Sequence, residues 1–160
     1  MAELQKLEQK IGEALGLEKA AQVAVEELSA KGLLDEGGMK DKLQNMKKQA
    51  NTHQANLEEL IPALESEGIG SENIQKAAQE TEQKAAEMMK TYLGDDPDSS
   101  EATEFLCLAE GEVTHYEVLS AMTKGVKNKK LATKVKAILA EEKRHLQLCT
   151  RLAKQTATSS

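Results

Sequence analysis

All three histidines of the chain, His53, His115 and His145, fall where a helix would carry its apolar seam. Two of them have a glutamate three residues earlier: Glu112 before His115, and Glu142 before His145. Side chains three apart lie on one helix face, so a carboxylate and an imidazole in this spacing reach the same ion. Two such helices facing each other can clamp a pair of ions. That chemistry requires these residues to face inward, which depends on the helices that carry them.

The chain has 160 residues, enough for one core and short for two domains. Ala, Leu, Glu, Lys and Gln dominate, and Tyr92, Phe105 and Tyr116 are the only aromatic residues. This is helix-forming composition. Both prolines, Pro62 and Pro97, lie near expected helix boundaries, and no stretch alternates like a strand, so the expected class is all-α.

A net charge of −6 and so few aromatics argue against a nucleic-acid surface. No apolar run reaches the roughly 18 residues of a membrane span, and Met-Ala-Glu-Leu-Gln-Lys at the start lacks a secretory hydrophobic stretch. A soluble, cytoplasmic protein is expected, without nucleic-acid or membrane partners. Cys107 and Cys149 stand in apolar helical stretches outside any Cys-x-x-Cys pair and read as buried small hydrophobes.

Apolar residues at alternating steps of three and four predict four long helices and one intermediate helix. The first, over 3–31, carries Leu4, Leu7, Ile11, Ala14, Glu18, Ala21, Val25 and Leu28. The second, over 39–66, carries Met39, Leu43, Met46, Ala50, His53, Leu57, Leu60 and Leu64. Residues 72–93 have a thinner stripe without ligand-type residues and read as a connecting helix. The next helix, over 101–124 with Ser100 as its expected N-cap, places Phe105, Leu108, Glu112, His115, Leu119 and Met122 on its seam, flanked by Leu106, Ala109, Val113 and Tyr116. The last, over 129–154, carries Leu131, Val135, Ile138, Glu142, His145, Cys149 and Leu152. Residues 1–155 form one expected domain, and 156–160 an expected disordered tail.

Six polar residues therefore interrupt four apolar stripes: Glu18, His53, Glu112, His115, Glu142 and His145. Each is close to its helix midpoint, so in an antiparallel arrangement they share one layer. With about two of seven positions on a seam, all three histidines fall there by chance roughly once in forty. The competing explanation is satisfied core histidines with snorkelling glutamates, but three carboxylates buried together are costly without a cation.

The chain resembles the ferritin-like superfamily of four-helix bundles with di-iron or di-manganese carboxylate sites. It is most similar to a small, stress-associated, rubrerythrin-like branch with an extra helix in the long crossover. The resemblance rests on Leu17-Glu-Lys-Ala, Thr114-His-Tyr-Glu-Val-Leu and Leu139-Ala-Glu-Glu-Lys-Arg-His, and it extends over nearly the whole chain. It implies Glu18, Glu112 and the pair Glu142 with His145 as metal ligands, with His53 from the second helix and His115 as an additional imidazole. The acid expected three residues before His53 is replaced by Ala50, with Gln49 offering a neutral oxygen. On this reading Glu142 and His145 matter most, and His53 less. The implied cofactor is iron, two ions in the family pattern, with manganese or zinc as alternatives. The implied activity is iron oxidation, or reduction of dioxygen or peroxide. No Cys-x-x-Cys electron-transfer module accompanies it. The alternative is a non-catalytic stress or interaction protein in which any metal is structural. Gly12 and Gly16 permit a close helix approach, with a homo-oligomer as one setting for it; Lys124, Lys127, Lys129, Lys130, Lys134 and Lys136 read as a solvated basic helix end.

Overall fold

The computed structural model describes residues 2–33, 39–94, 97–98, 101–103, 105–106, 112–127 and 129–158, and every regular element among them is helical. The helices are α1 (Ala2–Ala30), α2 (Met39–Glu65), α3 (Ser71–Leu93), α4 (Glu112–Met122) and α5 (Lys129–Thr158). A short 3₁₀ turn, Thr123–Gly125, follows α4, and residues 101–103 and 105–106 are also helical. None of the described helices is long and apolar enough to cross a membrane.

Local chemistry sets the ends. Gly32 and Gly68 adopt φ of 73° and 88°, the left-handed conformation that closes a helix at least cost to glycine. Beyond each, the next N–H folds back to a carbonyl in the last turn: Leu33 to Leu28 and Ile69 to Leu64, both at 3.1 Å. The N–H of Glu101 donates to Asp98 Oδ1 at 2.8 Å, a side-chain capping contact; Ser100, the expected N-cap, lies outside the described residues.

The sequence reading of the tail is corrected at its start. Helix α5 continues through Thr158, and Thr156 is buried because it repeats the seam one turn after Leu152. Thr156 and Thr158 also return their hydroxyls to carbonyls of the preceding turn.

Two apolar clusters fill the interior. One gathers Leu7, Ile11 and Leu15 of α1, Leu57 and Leu64 of α2, Ile74 and Ala78 of α3, Tyr116 and Leu119 of α4, and Leu131 to Ile138 of α5. The other gathers Val25 and Leu28, Leu43 and Met46, Leu93, Phe105 with Leu106, and Cys149 with Leu152. Cys107 lies outside the described residues; Cys149 is fully buried in this cluster. The order in which each helix meets these clusters gives its direction. Helices α1, α3 and α5 run one way and α2 the other; Phe105 with Leu106, and then Tyr116 with Leu119 of α4, meet the clusters in the same order as α2. Helix α1 packs on α2 and α4, and α5 packs on the same two. Between the clusters all the long stripes are interrupted at one level, by Glu18, by His53, and by Glu142 with His145.

The close approach expected at Gly12 and Gly16 occurs within the chain, where α3 lies along α1. A Cβ on Gly12 would stand 2.6 Å from the Ile74 carbonyl oxygen, and one on Gly16 would stand 2.5 Å from that of Ala78 and 2.8 Å from Thr81 Cβ. Gly→Ala inside a helix ordinarily stabilises by about 0.5–1 kcal/mol. Here backbone must move, so Gly12→Ala is expected to cost about 1–3 kcal/mol, a melting-temperature loss of several degrees in a thermal scan. A rise would show that the helices separate freely. The same helix pair is tied by Glu8, a buried carboxylate accepting from the Gly70 N–H at 3.2 Å and from Asn73 Nδ2 at 2.5 Å at the start of α3.

Candidate metal centre

The interruption in the core is a compact polar group. Glu18, His53 and Glu142 are buried and offer ligand atoms within 4.8 Å of one another. His53 Nδ1 is 2.9 Å from Glu142 Oε1 and 3.4 Å from Glu18 Oε1. His53 Nε2 meets Glu141 Oε2 at 2.5 Å. Tyr116, wholly buried, donates its hydroxyl to Glu18 Oε1 at 3.0 Å. Glu18 Oε2 has no hydrogen-bond partner among the described residues, although it is shut away from solvent.

His145 flanks the group. Its ring stacks on that of His53, with centroids 6.0 Å apart and planes at 27°. Its Nδ1 lies 3.7 Å from Glu142 Oε2, and its Nε2 is hydrogen-bonded to Gln49 Oε1. Helices α2 and α5 thus exchange contacts reciprocally: His53 of α2 with Glu141 of α5, and His145 of α5 with Gln49 of α2. In both rings Nε2 meets an oxygen acceptor and Nδ1 is left toward the carboxylates. Ligating histidines usually have this arrangement, with one nitrogen anchored as a donor and the other available.

Electrostatics follow from burial. Desolvation, reinforced by the charge of Glu142, pushes the Glu18 carboxyl up to about 8 against the pull of His53. Burial opposes charge on His53, but its hydrogen bonds to Glu142, Glu18 and Glu141 outweigh it and push the imidazole up to about 10. Near neutral pH the metal-free group is therefore held together by protons, one on His53 and one on Glu18. These two protons occupy the charge that one divalent ion would supply.

His115 stands elsewhere. It is one-third exposed, its Nδ1 lies 3.2 Å from Lys10 Nζ and 3.5 Å from Glu13 Oε2, and burial together with Lys10 draws its pKa below the usual histidine value. The Lys10 ammonium donates to Nδ1 and itself bridges to Glu13 at 3.0 Å. The reason is rotational. Leu119 is buried as its seam position implies, but Tyr116, and Thr123 in the turn that follows α4, are buried where the seam placed His115 and Met122. The bulkier apolar ring takes the interior and the imidazole moves to the flank. The side chain of Glu112 lies outside the described residues, as do Leu108 and Ala109.

Of the six residues singled out by spacing, Glu18, His53, Glu142 and His145 come together. His53, expected to matter less for want of an acid at Ala50, is the member that touches both buried carboxylates. Glu141 was not anticipated; the antiparallel pairing that sets Gln49 against His145 also sets Glu141 against His53, and that register was the signal available for it. Comparison with known proteins gives no match: no family model, characterised protein or solved structure is significantly similar to the chain.

Proposed function

We propose that the protein binds a transition-metal ion between its helices, with Glu18, His53 and Glu142 as ligands and His145 beside them. The observation that carries this reading is the buried Glu18–His53–Glu142 group itself, two carboxylates and an imidazole whose donor atoms lie within 4.8 Å between the two apolar clusters. Two carboxylates neutralise one divalent ion, and the unpartnered Glu18 Oε2 is a buried oxygen that such an ion would satisfy. Imidazole with carboxylate suits iron, manganese or zinc better than magnesium or calcium.

The ferritin-like reading is the finer form of this proposal. Helix α3, which follows α2 in the chain and lies along α1, returns to the end of the bundle where α2 began, so that α2 and α4 run in the same direction, as a single long crossover requires. Bound ferrous iron would supply the electron for reduction of dioxygen or peroxide, becoming ferric. The side chains would hold the ion and exclude water. The described donors serve one ion, and a second would need the Glu112 carboxylate.

A second reading has its own support. His53 contacts three glutamates and Tyr116 contacts Glu18, a network that protons alone can satisfy, so the layer would serve helix register without chemistry.

Elemental analysis after anaerobic ferrous loading, then an aerobic oxidation assay, separates them. The metal reading expects about one ion per chain and, at a hundredfold excess over the dissociation constant, about 2.7 kcal/mol of added stability, seen as a rise of roughly 5–10 °C in melting temperature. Oxidation faster than in buffer supports the oxidase reading, whereas bound iron without turnover leaves a structural ion. No bound iron and no thermal shift would leave the protonated network.

A further inference from the structure

The group is sealed. Glu18, Glu142 and His53 have side chains no more than 3% exposed, and Tyr116 is fully buried against Glu18. His145 behind them is 6% exposed. Among the described side chains hydrogen-bonded or ion-paired to the three central side chains, the most exposed is Glu141, 35% exposed, with Oε2 at 2.5 Å from His53 Nε2. The His53 ring therefore stands between an outer carboxylate and two inner ones, one nitrogen on each side. Glu142, next in sequence on α5, belongs to the inner pair, so outer and inner carboxylates are fixed to the same helix turn.

We infer that Glu141 is the capture carboxylate of the centre: an incoming divalent cation is held first at Glu141 and passes inward as the His53 ring turns away from it. This rests on the metal reading above. An ion arriving from solvent must exchange hydration water for protein oxygen, and a partly exposed carboxylate does so at lower cost than a buried one. A negative charge at the mouth of a sealed site also raises the local cation concentration, an effect that weakens as salt screens it. Because Glu141 faces the outer nitrogen of His53 and not the inner pair, it lies off the final ligand set. It should govern the rates of uptake and release and leave the equilibrium nearly alone.

Glu141 has a second role that the test must separate. As acceptor from His53 Nε2 it holds the ring with Nδ1 inward, and loss of such an anchor typically weakens metal affinity by about 10–100-fold. Glu141→Gln retains an oxygen acceptor for Nε2 and removes the charge. Stopped-flow uptake of cobalt(II), with chelator-driven release, should show association slowed by about tenfold or more in Glu141→Gln and release slowed in proportion, with the dissociation constant within about threefold of the parent. The parent association rate should fall as salt is added, and the variant's should not. Glu141→Asp should recover most of the rate. Unchanged association with faster release and weaker binding would overturn the inference and leave Glu141 as an anchor only. Unchanged rates and affinity would overturn it equally. If the parent itself takes up no cobalt, the metal reading fails first, a result distinct from either.

Discussion

His53→Ala is expected to weaken cobalt(II) or ferrous binding by more than about 100-fold, whereas His115→Ala should leave it within about threefold. The threshold follows because altering residues merely behind a ligand already costs about 10–100-fold. His53 Nδ1 touches both inner carboxylates, and no other described side chain takes its place between them. His145→Ala should fall between the two, since His145 stacks on His53 and approaches only Glu142. His115 is bound to Lys10 and Glu13 instead, and its loss should be felt only as a small change at the surface of α1 and α4. Isothermal titration of the three variants gives the ranking. Equal losses at His53 and His115 would mean that α4 turns its Glu-x-x-His face inward on metal binding, contrary to the arrangement described.

Binding should also be steeply dependent on pH. Near pH 7 the metal-free group retains a proton on His53, raised to about 10, and largely retains one on Glu18, raised to about 8. An ion can take these ligands only as both leave, so uptake should release about two protons and affinity should rise by up to about 100-fold per pH unit between pH 6 and 8. Above that range the Glu18 proton is already lost and the slope should fall toward one proton. Calorimetry in buffers of differing ionisation enthalpy counts these protons. The sign for folding is the opposite. Both groups have raised folded-state values, so their protons favour the native metal-free state at low pH, and that contribution is lost with rising pH, from 4.5 to about 8 for Glu18 and from 6.5 to about 10 for His53. The metal-free protein should thus lose stability toward alkaline pH while the metal-loaded protein gains on it. A pH-independent affinity would show that the ion binds elsewhere.

The helices were legible because their seams are long and regular. In α5 every seam residue from Leu131 to Leu152 is buried as its spacing implies, and in α2 so are Leu43 to Leu64. Period identifies a face well when one narrow stripe is apolar. It failed in α4, where Val113 and Tyr116 widen the stripe and the choice between His115 and Tyr116 for the interior depends on what α1 and α5 place opposite. Spacing within one helix carries no such information. The same limit hid Glu141: beside a buried Glu142 it looks like a solvated neighbour, and only the register of α2 against α5 brings it to His53. Gly12 and Gly16 were recognisable as a close-contact pair, but their partner is the small-residue face of α3, Ala77 and Ala78, whose thin stripe gave little indication of how tightly it packs. The Glu18–His53–Glu142 group was readable because Glu18 and His53 each break an otherwise apolar row alone, and Glu142 breaks a third together with His145.

The most direct measurement is the stoichiometry of cobalt(II) uptake by equilibrium dialysis, for the parent protein and for Glu18→Gln combined with Glu142→Gln. The parent should saturate at about one tightly held ion per chain and the double variant should hold essentially none, since the two carboxylates that balance the ion's charge are gone. Equal uptake by both proteins, or none by the parent, would contradict a metal centre at this layer.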